Sequence, residues 1–98
     1  MRYPVVWCEA AGPTYAGSLV LGPSSLTLDG SVGGARSVIE LPYDELMRVR
    51  AGTRGERVRG RPTLLVEARG RTLRVATLSE AGLMAEVADE LTRAMPVA

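Results

Sequence analysis

Arginine is the residue type gathered most densely in this sequence, and its chemistry is the recognition of anions. Arg48, Arg50, Arg54, Arg57, Arg59 and Arg61 fall in one short stretch whose only carboxylate is Glu56. A guanidinium presents a planar fork of donors that matches phosphate and carboxylate oxygens. Gly52, Gly55 and Gly60 let the backbone of the same stretch approach a ligand closely. The run is therefore a candidate site for the anionic head groups of an acidic membrane surface, for another phosphate-bearing ligand, or for an acidic partner. The competing reading is a solvated, mobile hairpin loop kept soluble by its charge. Nucleic acid fits less well, because no aromatic side chains interleave with the arginines and the formal net charge is only +1.

Covalent and acid–base chemistry has little to draw on. The chain has no histidine, so the usual general base for a serine or cysteine nucleophile is missing. Cys8 is the single cysteine, which rules out an internal disulfide and leaves no cluster to hold a metal. It reads as a small buried hydrophobe. Carboxylates close in sequence (Asp44 with Glu45, Asp89 with Glu90, Glu86 with Glu90) fall in turn or helix contexts that face water. The glycine-rich stretches match neither a phosphate-binding loop nor a dinucleotide fingerprint, so no cofactor is expected. A non-enzyme follows; a small hydrolase of unknown substrate, using two carboxylates distant in sequence, is the catalytic alternative.

The frame for these residues is an ordinary globular composition, 46% hydrophobic and 23% charged over 98 residues, which suits one domain spanning residues 1–98. Every basic residue is arginine and none is lysine, which suggests a GC-rich coding sequence. No run approaches the roughly 20 apolar residues of a membrane span. The apolar stretch from Val5 to Cys8 is too short for a secretory signal and is followed by Glu9. A cytoplasmic, reducing setting is the expectation.

Period-2 alternation between turn signals predicts seven strands, over residues 5–10, 15–21, 25–29, 38–41, 47–51, 62–68 and 71–77. Leu19 and Leu21, Leu26 and Leu28, Ile39 and Leu41, and Leu73 and Val75 are the expected inward sets. Met47, Val49 and Ala51 are expected on one face of the fifth strand, with Arg48 and Arg50 on the other. In the sixth, Leu64, Val66 and Ala68 point inward and Thr63, Leu65 and Glu67 outward. Arg69-Gly70 reads as a two-residue hairpin turn, which sets Ala68 opposite Arg71 and Val66 opposite Leu73. Asp29-Gly30 and Gly33-Gly34 read as loop residues, and Tyr43 to Leu46 as an irregular or helical turn. A helix over 79–95 follows, capped by Ser79, with Leu83, Met84, Val87, Leu91, Ala94 and Met95 on its apolar face.

The first strand leaves an ambiguity. Val6, Cys8 and Ala10 form one apolar face, and Val5 and Trp7 lie on the other. If the first set faces the core, Val5 and Trp7 project outward beside Val20 of the next strand, as an anchor for a protein partner or a second copy. If the strand is turned over, Trp7 is core.

Four strands, then three, then one helix, is similar to the pleckstrin-homology-like fold: a mainly β, seven-stranded antiparallel sandwich or barrel closed by one C-terminal helix. The segments carrying the likeness are Gly17-x-Leu19-x-Leu21 with Ser25-Leu26-Thr27-Leu28, Ile39-Glu40-Leu41-Pro42-Tyr43-Asp44-Glu45-Leu46, and Thr72-Leu73-Arg74-Val75. They look like small bacterial pleckstrin-homology and GRAM-type domains. The resemblance implies a binding platform. Phosphoinositide-binding members carry basic residues around the first hairpin loop; here that loop is Ala10-Ala11-Gly12-Pro13-Thr14, without charge, so that site does not carry over. The tryptophan common in the family's helix is also missing. The expected function is a cytoplasmic interaction module that binds a protein partner or itself, with anionic head groups on the arginine-rich loop as the alternative.

Overall fold

Alternating burial builds one curled antiparallel sheet in the computed structural model, which describes residues 2–9, 12–78 and 82–95. The strands are β1 (Arg2–Glu9), β2 (Tyr15–Leu21), β3 (Ser25–Val32), β4 (Ala35–Pro42), β5 (Leu46–Ala51), β6 (Leu64–Ala68) and β7 (Arg71–Thr77), and the helix is α1 (Gly82–Ala94). Their spatial order is β4-β3-β2-β1-β7-β6-β5, so a meander of four and a meander of three meet where β1 pairs with β7. The result is a mainly β half-barrel with a C-terminal helix, compatible with a pleckstrin-homology-like fold. The expected helix start at Ser79 and the residue Ala10 lie outside the described residues.

The concave face holds the core. Tyr3, Val5 and Trp7 of β1 meet Leu19, Leu26, Leu28 and Leu41 on one side and Leu64, Val66, Leu73 and Val75 on the other, and Met84, Val87 and Leu91 of α1 close the cluster. The helix presents its three- and four-residue apolar spacing to β5 and β7, as an amphipathic helix on a curled sheet must. The β6–β7 hairpin has the expected register, Ala68 opposite Arg71 and Val66 opposite Leu73, with Gly70 at φ 72° in its turn. Tyr43–Glu45 forms a 3-10 turn between β4 and β5.

Four expectations are corrected. Val5 and Trp7 are fully buried, so the outward patch of Val5, Trp7 and Val20 does not form. Val20 lies opposite Arg2, while Val5 lies opposite Gly17. Met47 is 67% exposed, because the β5–β6 register shifts between Leu46 and Arg48; the extra residue turns Met47 out and gives the inward place to Leu46. Asp29-Gly30 is not a loop but part of β3, which runs on to a tight turn at Gly33 (φ 56°) and Gly34 (φ 84°). Leu65 points away from the core yet is 2% exposed, since the segment after β5 passes over it: a side chain at Gly52 would meet the Leu65 Cδ1 at 2.7 Å.

Candidate functional site

The arginine-rich segment between β5 and β6 is folded against the sheet. Val58 is its anchor. It is buried on the convex face against Val6 and Cys8 of β1 and Ala76 of β7, forming a second, smaller apolar cluster. Thr63 ties the segment together: its Oγ1 accepts from the Val58 N–H at 2.8 Å and donates to the Arg61 carbonyl at 2.8 Å. Between them Arg59 (φ 51°) and Gly60 (φ 71°) make a reversed turn closed by the Arg61 N–H on the Val58 carbonyl at 3.0 Å. A left-handed arginine is unfavourable by itself, and the anchored flanks on both sides hold it there. The solvated-loop expectation captured the exposure of these arginines and missed the anchoring of their backbone.

The six arginines divide by environment. Arg50 is engaged: its Nη1 and Nη2 donate to the Glu56 carboxylate at 2.9 and 2.8 Å, and its Nε donates to Glu67 at 3.1 Å. Glu56 also accepts from the Thr53 N–H at 2.9 Å and the Thr53 hydroxyl at 3.0 Å. The Arg50 hydrogen bonds, then that of the Thr53 backbone, hold the Glu56 carboxyl at about 2, below its ordinary 4.5. Arg48 is mostly exposed, with Glu67 at 3.7 Å, and Arg61 reaches the Thr77 carbonyl at 3.5 Å. Arg54, Arg57 and Arg59 are exposed and have no carboxylate partner among the described residues. The sequence run of six thus becomes three unpaired cations on a fixed support, with Arg48 and Arg61 loosely held beside them.

Sequence reasoning missed a recess on the other side of β5. It is a largely apolar groove of about 320 Å³ between α1 and the end of the β5–β6 hairpin, lined by Val49, Ala51, Pro62, Leu64, Met84, Ala85 and Ala88 with Arg50 and Thr63. Strand β5 borders it and, among the described residues, has β6 as its only sheet neighbour. The signal in the sequence is the pair Ala85 and Ala88, small residues on the helix side that faces β5, where a larger side chain would fill the space. A broader depression of about 520 Å³, with a mixed polar and apolar lining, is flanked by Glu40, Tyr43, Asp44 and Ala94.

The remaining chemistry-bearing residues are engaged or exposed. Glu9 accepts from Arg71 Nε and Nη2 at 2.5 and 2.8 Å, and those hydrogen bonds hold its carboxyl below the usual range. Burial, with Glu86 and Glu90 nearby, pushes the Tyr3 phenol up. Asp44, Glu45, Glu86 and Asp89 face solvent, and Cys8 is buried. Among the described residues no group of acidic and cysteine side chains is arranged to hold a metal ion, and no helix is long and apolar enough to cross a membrane. No protein-family model matches the chain, and no curated protein is similar enough to count as a relative.

Proposed function

We propose that this chain is a non-enzymatic interaction domain of the pleckstrin-homology-like kind, whose ligand is an extended segment of a protein partner. The observation that carries the reading is the apolar groove of about 320 Å³ beside the open edge of β5. An edge strand offers a row of main-chain donors and acceptors to a second strand, and a flanking pocket takes one of its side chains. Affinity comes from the backbone pairing, and selectivity from the apolar side chain that enters between β5 and α1. Peptides selected from a displayed random library on the folded domain test this. They are expected to bind the wild type and to lose at least tenfold in affinity for Ala88→Glu, which places a charge in the groove. Selected peptides that bind Ala88→Glu as well as wild type would reject the groove.

A second reading rests on Arg54, Arg57 and Arg59, which are unpaired and held outward by the Val58 anchor. Such a set suits the phosphate groups of an anionic lipid surface. Flotation with acidic liposomes should then fall as salt rises, and should disappear when the three arginines are replaced by glutamine. Absence of flotation at low salt removes this reading.

A further inference from the structure

We propose that two copies of this chain associate along β4, antiparallel about a two-fold axis at Val38, with Arg36 of each protomer opposite Glu40 of the other. This surface is the opposite sheet edge from β5, and the inference stands independently of the peptide reading.

Strand β4 ends the sheet, and among the described residues no strand lies beside its outer edge. It is eight residues long, with no lysine, with proline only at its last position, and with two charged residues of opposite sign, Arg36 and Glu40. Alternation puts Arg36, Val38 and Glu40 in one row on the convex face, with Ser37, Ile39 and Leu41 on the concave one. Val38 is 55% exposed, the most exposed large apolar side chain in the described strands apart from the bulged Met47. Arg36 has no carboxylate partner among the described residues, and Glu40 accepts only from the Ser25 hydroxyl at 3.1 Å.

The spacing of this row is self-complementary. In an antiparallel pair about a two-fold, facing residues lie equally far on either side of the axis. With the axis at Val38, the valines cover each other and both charges meet opposites. With the axis at Arg36 or Glu40, like charges face each other; at Ser37 or Ile39, a charge faces Val38. One register therefore satisfies the whole row, and opposite charges directly across a strand pair favour it while like charges oppose it. Because the contact is isologous it closes on itself as a dimer and does not propagate.

Sedimentation velocity and light scattering over a wide concentration range test the pairing, with circular dichroism to verify folding. The wild type should pass from monomer to dimer as concentration rises. Arg36→Glu and Glu40→Arg each set like charges opposite one another at both symmetry-related positions, and each should weaken dimerisation by about tenfold or more. The double variant carrying both changes should recover the wild-type constant. An equimolar mixture of the two single variants should form heterodimers, a result that misfolded single variants could not give. A wild type that stays monomeric throughout leaves the edge to a strand of another protein, or to none, and overturns the proposal. Single variants that dimerise as tightly as wild type overturn it too.

Discussion

The indole Nε1–H of Trp7 donates to the main-chain carbonyl of Asp29 at 2.9 Å, across β2, while the ring stacks on Tyr15 with centroids 4.7 Å apart. One side chain of the central strand thus reaches two strands of the first meander. Trp7→Phe keeps most of the packing and loses the donor, and should cost about 1–2 kcal/mol. Trp7→Ala should cost about 3–5 kcal/mol. Urea unfolding measures both, and the dimerisation constant of Trp7→Phe should match wild type because Trp7 is remote from solvent.

Gly17 of β2 lies opposite Gly30 of β3 and leaves no room for a side chain. A Cβ there would lie 2.0 Å from the Asp29 carbonyl oxygen and 2.5 Å from the Gly30 Cα, and both are backbone atoms. Gly17→Ala must separate the strands and should lose about 3 kcal/mol or more. Gly55 meets nothing within 4 Å, so Gly55→Ala, the control, should stay within about 0.5 kcal/mol of wild type in the same assay.

Val58 covers Cys8. Val58→Ser weakens the anchor of the arginine-rich segment, and the Cys8 thiol should then react faster with a soluble disulfide reagent under native conditions. The expected increase is roughly tenfold, which corresponds to about 1.4 kcal/mol of lost anchoring. An unchanged rate would show that Cys8 is shielded without Val58.

Acid should loosen the same segment. The folded-state pKa of Glu56, about 2, lies below its ordinary 4.5, so its contribution is fully present above pH 4.5 and is lost as pH falls toward 2. Glu9, lowered by its hydrogen bonds to Arg71, shifts stability in the same direction. The thermal midpoint should decline over that window in wild type and decline less steeply in Glu56→Gln.

Strand order and most inward faces were legible in the sequence, because Leu26 and Leu28, or Leu73 and Val75, alternate against polar neighbours. The face of β1 was not. Both of its faces are apolar, one because it lines the core and the other because Val58 covers it, so alternation could not choose between them. Nor could it place Met47, since one extra residue in a strand inverts everything before it. Asp29-Gly30 carries turn chemistry, yet here the glycine makes room for Trp7 and Tyr15. For the candidate site, the arginines were plain and their support was not. The informative residue was Val58, the one apolar side chain between Gly52 and Arg61, whose partners come from strands distant in sequence.

The pairing of β1 with β7 also sets the timing of folding. Of the seven strands described, the central one, β1, is the earliest in sequence, and its second neighbour, β7, is the latest. Until β7 is synthesised, the Val5 and Trp7 strand has partners on one side only, and the four-strand meander stays open along its middle. Contacts between the two ends of a chain are slow to close. Folding should therefore finish with one slow cooperative step that seals the sheet and buries Trp7.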